Sequence, residues 1–568
     1  MPTTTIVKHN RTRLSTFAKI LGLFVVFALV ILTFQRVRSV ETVFINAQVL
    51  TLDSNNKAAD ALLIRNHRIV AVGDTENVLA EASRFAQIRD LEGRTIVPGF
   101  VDAHSHFPVS GLSAVSVNVA PPPVGPGASK EALLHTIAQS IPDRPAEKNE
   151  PFILGFNYDN TSFENPEHPT RKELDAITGD YPVCLWHSSG HLGVVNSAGL
   201  ERLNIDESTP EVQGGSRARD ADGKLNGLLL EKAVPSMSVL LEELSWLDQW
   251  SIVTTARDEY LAAGVTTVQN GFASVFMSRL LNALHTVGIV PQRVNTWLAH
   301  DKLKPAQREN LAANTTIKLI VDGSPQGLTA YLTKPFLIPA FGENNAGFEI
   351  YAQTKLNEVV LYYHRLGYQL ALHGNGDAAI DQIIKALSTA QKVAPRDDPR
   401  HLLVHAQLLR LDQMDQMQAI GLSPSFFPAH TFFWGDWHRK TLGEDRASGL
   451  SPAVSATERG LRFSLHADTP VTPMNLFEVM WAASERKTRS GVVLGVSERI
   501  SRESALKAVT LDAAWQAFQE HEVGSLEVGK MADLLVLSEN PITATDIRQV
   551  EVDETWIGGQ RRYLRKLD

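Results

Sequence analysis

Between residues 95 and 468 the chain alternates short apolar runs, bounded by turn residues, with stretches whose apolar positions recur at helical spacing. Parallel strands covered on both faces read as continuous hydrophobic runs, so this alternation predicts a parallel sheet wrapped in helices. The runs lie at 95–106, 264–270, 290–298, 315–323, 367–374, 401–406, 421–426 and 461–468. Eight is the strand number of a TIM-type (β/α)8 barrel, and the expected fold class is α/β on that plan.

Both flanks of this middle region carry shorter, β-rich patterns. Residues 43–73 and 524–563 each show brief apolar stretches separated by turn residues, as in a small sandwich shared by the two chain ends. Residues 107–249 are too many for one loop and predict an inserted subdomain over one end of the barrel. The expected organisation is 1–39, 40–94 as the first part of the sandwich, 95–520 as the barrel with its insertion, and 521–568 as the second part.

The first forty residues differ again. The stretch 20–34 is uncharged and follows Lys8, Arg11, Arg13 and Lys19. Counted from Phe17 to Phe34 it approaches the length of a membrane-spanning helix once Lys19 reaches back to the head groups. Gln35, Arg36, Val37 and Arg38 follow without a small-x-small cleavage pattern, which favours an uncleaved single-pass anchor over a removed signal peptide. The excess of Lys and Arg before the run places the N-terminus in the cytoplasm and the rest of the chain outside.

Composition narrows the chemistry. With 43% hydrophobic and 21% charged residues among 568, the chain is ordinary globular material. A net charge of −9 from scattered residues, with no basic block, excludes nucleic acid as an expected partner. A small-molecule substrate is expected, and the sequence leaves room for a homo-oligomer. The single cysteine, Cys184, rules out an intramolecular disulfide or a thiolate cluster, so any metal site must draw on the 18 histidines, carboxylates or a modified lysine.

The first run ends in His104-Ser105-His106, and residues two apart on a strand point to one side. Two surface histidines would give the same pattern. His373, His405 and Asp468 also close their runs, however, at the face where barrel active sites form. Neutral imidazole with carboxylate suits a divalent metal, zinc first, with manganese, iron or nickel as alternatives. Asp468 is the expected proton carrier.

At this point the chain resembles the amidohydrolase superfamily, in the branch that includes N-substituted formamide deformylases. The resemblance rests on VPGFVDAHSH, PTRKELDA with HSSGHLGVVNSAGL, IKLIVDGS, ALHGNGDAAID, SLHADTPVTP and GSLEVGKMADLLVL, and covers nearly everything after residue 39. It implies a hydrolase of carbon–nitrogen bonds other than peptide bonds, acting through metal-activated water on one or two zinc ions. It also implies that Lys318 is carboxylated and bridges two metals; a lysine paired with Asp322 is the plainer alternative. His187 and His191 match a branch motif and are candidate substrate contacts, with structural histidines as the alternative. Glu231 matches too, without an evident role.

Other positions carry weaker expectations. His430, Trp434, Asp436, Trp437 and His438 form an aromatic loop after the seventh run that would shape the substrate pocket, unless the tryptophans only pack. Asp377 is expected to cap the helix that follows it. Ester, lactone or carbamate hydrolysis is the rival reaction, because the ligands do not distinguish leaving groups. A membrane-anchored binding protein on an inactive barrel is the rival from another class, and it would show a lost ligand.

Overall fold

The computed structural model describes residues 41–53, 59–147, 150–212, 214–235, 244–312, 315–339 and 344–566. The expected anchor at 17–34 lies outside these residues. Among the described residues no helix is long and apolar enough to cross a membrane.

Each of the eight expected runs supplies a strand to one parallel sheet. The strands are β1 (Phe100–Val101), β2 (Val265–Ala273), β3 (Arg293–Ala299), β4 (Thr316–Ile320), β5 (Gln369–Gly374), β6 (His401–His405), β7 (Leu422–Phe426) and β8 (Ser464–Leu465), hydrogen-bonded in that order. Leu319, Leu370, Leu372 and Leu403 on these strands are buried with helix residues such as Val360, Ile380 and Ile383 in one large core. The sheet curls until the continuations of its two edge strands meet: Asp468 N donates to His104 O at 3.2 Å, and His106 N donates to Thr469 O at 2.8 Å. The two ends of the sheet are therefore stitched together at the residues expected to bind metal.

The first run does not enter the curled sheet as one strand. Its first half, Thr95–Pro98, pairs antiparallel with Leu534–Leu537, and only Phe100–Val101 joins the barrel strands. The switch falls at Gly99, where a Cβ would collide with the Thr266 side chain. Thr95–Pro98 thereby sits in a five-stranded sheet with Gln48–Val49, Leu534–Leu537, Val552–Ile557 and Gln560–Leu564, built from both flanks of the chain. A four-stranded sheet of Arg68–Gly73, Ala61–Arg65, Thr42–Ile45 and Gln87–Asp90 lies beside it. Phe44 meets Trp556 edge-on between them, centroids 5.2 Å apart.

Residues between β1 and β2 form a six-stranded sheet in the order Gly215–Arg219, Leu225–Glu231, Leu192–Val195, Val183–His187, Ile153–Tyr158 and Val117–Asn118. Two bonds tie it to the mouth of the curled sheet. Trp434 Nε1 donates to Asp159 Oδ2 at 2.7 Å, and Asn157 Nδ2 donates to Pro470 O at 2.9 Å.

Several histidines outside the ligand cluster are structural. His401 Nδ1 accepts from Leu370 N, so its Nε2 carries the proton and donates to His364 Nδ1 at 2.9 Å, whose Nε2 donates to Ala394 O at 2.8 Å. Burial holds His401 well below its ordinary pKa and brings His168 and His438 down to about 3. Below pH 6.5 the unfolded chain protonates these three while the folded chain does not, so each withdraws stability as pH falls, by up to about 1.4 kcal/mol per pH unit. Asp102 and Asp322, pushed by burial up to about 7, act in the opposite sense between about pH 4 and 7, being protonated only when folded. The histidines prevail, and the Tm of the metal-loaded protein is expected to fall as pH drops from 6.5 to 5. A Tm that holds or rises over that interval would show that the histidines are not buried in neutral form.

Candidate metal centre

The mouth of the curled sheet gathers the expected ligands because the strands are in register. Ile320 pairs with His373, and Gly374 with His405, so side chains at the ends of adjacent strands stand at one level. His405 and Asp468 both have left-handed backbone, with φ of 74° and 52°. Non-glycine residues adopt that conformation at a cost of about 1–3 kcal/mol. Here it turns each side chain as the chain leaves its strand.

His104, His106 and Asp468 offer ligand atoms that all lie within 4.8 Å of one another. Asp468 Oδ1 stands 3.3 Å from His104 Nε2 and 3.3 Å from His106 Nε2, yet it is buried and accepts no hydrogen bond among the described residues. A buried carboxylate oxygen facing two imidazole nitrogens without bonding either is the arrangement a cation would satisfy. Gly271 permits it: a Cβ there would collide with the His104 ring. Trp297 stacks on the ring's face, centroids 4.9 Å apart.

His373 and His405 complete the cluster on the other side. His405 Nε2 lies 3.1 Å from His373 Nδ1, and the His405 ring centroid is 5.3 Å from that of His104. Burial, reinforced by neighbouring cations and imidazoles, holds His104, His373 and His405 well below their ordinary pKa. They are therefore neutral, the form that donates a lone pair to a metal.

Lys318 is buried at the same level, its Nζ 3.3 Å from His104 Nε2 and 5.4 Å from the Trp297 ring centroid. Burial lowers its pKa to about 7, with Asp468 pulling the other way. The expected alternative, a pair with Asp322, is not found. Asp322 accepts from the backbone N–H groups of Tyr331, Asn375 and Gly376, and its Oδ1 lies 3.5 Å from His373 Nε2.

The remaining candidates separate. His187 is buried, with Nδ1 2.9 Å from Ser189 Oγ and Nε2 3.2 Å from Asn160 Oδ1, so both nitrogens are engaged inside the inserted sheet. His191 instead reaches the mouth, its ring centroid 5.3 Å from that of His373. Its Nδ1 lies 2.7 Å from Glu231 Oε2, while its Nε2 has no hydrogen bond among the described residues. Burial opposes charge on His191, but Glu231, then Asp322 and Asp468, outweigh it and hold the pKa above its ordinary value.

His430 and Trp434 stand on a helix, Ala429–Leu442, rather than in the expected loop. Eight of its side chains or glycines are buried, and that packing outweighs the weak helix propensity of its aromatics. His430 pairs with His438 at 3.1 Å, while Trp434 lines a cavity at the mouth. Asp377 does not cap its helix. The cap is Gly376, and the Asp377 side chain accepts from Thr333 N at 2.9 Å and pairs with Arg410 at 3.1 Å.

Sequence reasoning passed over His466, which sits behind the ligands. Its Nε2 is 3.1 Å from His405 Nδ1 and its Nδ1 2.8 Å from Ser425 Oγ, orienting the His405 ring. The signal was present, since His466 stands two residues before Asp468 on the last run. Asp102 is buried against Ser105 and Gln269 N, bracing the segment that carries His104 and His106.

Residues 87–563 match the profile of the amidohydrolase family. The chain is 29% identical to the N-substituted formamide deformylase of Arthrobacter pascens, over 92% of this chain and 98% of that protein. It is 27% identical to Protein LONG AFTER FAR-RED 3 of Arabidopsis thaliana, over 91% of each chain. A solved structure, an uncharacterized metal-dependent hydrolase from Pyrococcus furiosus, superposes with a TM-score of 0.67 at 25% identity, covering 89% of this chain and all of that one. With a family match over most of its length and a ligand cluster at the mouth of its sheet, the protein belongs to the amidohydrolase family and is a hydrolase of carbon–nitrogen bonds.

Proposed function

We propose that the protein cleaves a non-peptide amide of the N-substituted formamide class at a divalent metal centre, zinc being the metal the donors suit best. The observation that carries this reading is the convergence of His104, His106 and Asp468 within 4.8 Å at the mouth of the sheet. The similarity to a formamide deformylase over 92% of the chain supports the substrate class.

His104, His106 and Asp468 would hold one metal, and His373 with His405 a second. A divalent cation supplies positive charge that acidifies a water molecule and polarises a carbonyl oxygen. Asp468 takes the proton of the attacking water on a carboxylate oxygen and returns it to the departing nitrogen, which leaves poorly as an anion. His191, held through Nδ1 by Glu231, offers Nε2 to the carbonyl oxygen as charge develops there. Lys318, buried and partly neutral near pH 7, adds carbon dioxide to form a carbamate, releasing a proton, and so supplies a carboxylate between the two imidazole groups.

Elemental analysis of protein lacking residues 1–39 is expected to find one or two equivalents of divalent metal. Exhaustive chelation should abolish hydrolysis of N-substituted formamides, and zinc should restore it. Full activity in metal-free protein would overturn the reading.

A further inference from the structure

A cavity of about 290 Å³ lies where the inserted sheet meets the curled one, starting with Thr469 and Pro470, directly after Asp468 in the chain. Phe156, Phe433, Trp434 and Val471 make much of its wall apolar, and Arg489 stands at its edge. Its position is fixed by the metal-centre residues themselves, since His106 N donates to Thr469 O at 2.8 Å. A substrate whose scissile bond reaches Asp468 would run its nitrogen substituent into this space. The volume sits at the small end of ligand pockets, fit for one compact side chain.

The charged groups on the wall are unequal. Asp159 is engaged elsewhere: Oδ1 accepts from Thr161 N and Oγ1 at 3.0 and 2.6 Å, and Oδ2 accepts from Trp434 Nε1 at 2.7 Å. Burial raises the pKa of Glu259, which favours its neutral form. Asp159, Glu478 and Asp436 attract Arg489 through space while burial opposes its charge, yet among the described residues none of them forms a hydrogen bond or ion pair with it. Its guanidinium lies 5.1 Å from the Phe433 ring centroid and 5.9 Å from that of Phe432, so aromatic faces hold the plane in place while leaving its N–H edge free. A planar fork of this kind matches a carboxylate.

We propose that this cavity is a specificity site for amides whose nitrogen substituent is a compact apolar or aromatic group bearing a carboxylate, with Arg489 binding the carboxylate. The proposal rests on the formamide reading and narrows it to N-formyl amino acids and their like.

The test compares N-formylphenylalanine with N-formylphenethylamine, which lacks only the carboxylate, using metal-loaded wild-type protein and the Arg489→Gln and Arg489→Lys variants. The wild type is expected to show a KM about tenfold or more lower for the carboxylate substrate, the effect of one charge-assisted pair. Arg489→Gln should erase that preference by raising the KM for the carboxylate substrate to about that of the neutral amide, and Arg489→Lys should recover part of it. Equal KM values in the wild type, or a preference that survives Arg489→Gln, would overturn the proposal. Calorimetry with phenylalanine and phenethylamine separates the two claims when neither amide is hydrolysed. Tighter binding of phenylalanine that is lost in Arg489→Gln then upholds the carboxylate site and removes the formamide reading. Equal binding of the two removes both.

Discussion

The Asp468→Asn protein is expected to keep most of its metal and to lose turnover by about two to four orders of magnitude, the usual worth of general acid and base assistance. Asparagine preserves the side-chain volume and a carbonyl oxygen in the place of Asp468 Oδ1, which faces His104 and His106 at 3.3 Å. An amide cannot take a proton from water near neutral pH, so the shuttle between water and leaving nitrogen is broken while the ligand geometry survives. The second carboxylate oxygen, 3.8 Å from His405 Nδ1, loses its charge in the variant as well. Measuring kcat alongside metal content tells the roles apart. Metal and activity lost together would make Asp468 chiefly a ligand, and near-native turnover would remove it from the proton path and bring His191 forward.

Lys318→Ala is expected to lose at least one equivalent of metal and to lose activity by no less than the roughly 10–100-fold that removal of an outer ligand partner costs. The side chain is buried beside His104 with no carboxylate in ion-pair range among the described residues, an environment that keeps its amine neutral enough to react with carbon dioxide. Short carboxylic acids should restore part of the activity by occupying the vacated place. Lys318→Arg should not recover it, because a guanidinium stays charged and cannot be carboxylated. Unchanged metal content and full activity in Lys318→Ala would exclude the bridge.

Much of this centre was legible in the residues alone. Eight apolar runs bounded by turns identify eight buried parallel strands, because a strand covered on both faces has no polar side to show. The same logic placed His104, His106, His373, His405 and Asp468 at one mouth, since parallel strands all end on the same side and residues closing their runs must meet there. Local pattern served less well where several packings compete. The run 95–106 reads as a single strand, and only its pairing, with Leu534–Leu537 before Gly99 and with β2 after it, shows that it crosses from one sheet to another. His430, Trp434, Asp436, Trp437 and His438 read as an aromatic loop after the seventh run, and burial of the segment that carries them makes it a helix.

Partners distant in sequence were decided by tertiary structure alone. Nothing in the order of residues says that Asp322 serves three backbone N–H groups and His373 rather than Lys318. Nor does it say that Glu231, with an unusual positive φ of 52°, grips His191, or that His187 turns inward to Ser189 and Asn160. Hydrophobic periodicity sets which face of an element is buried, and so which residues arrive at the site. Which atoms meet there depends on strand register, on left-handed turns such as those at His405 and Asp468, and on how the inserted sheet docks over the mouth, all properties of the folded chain as a whole.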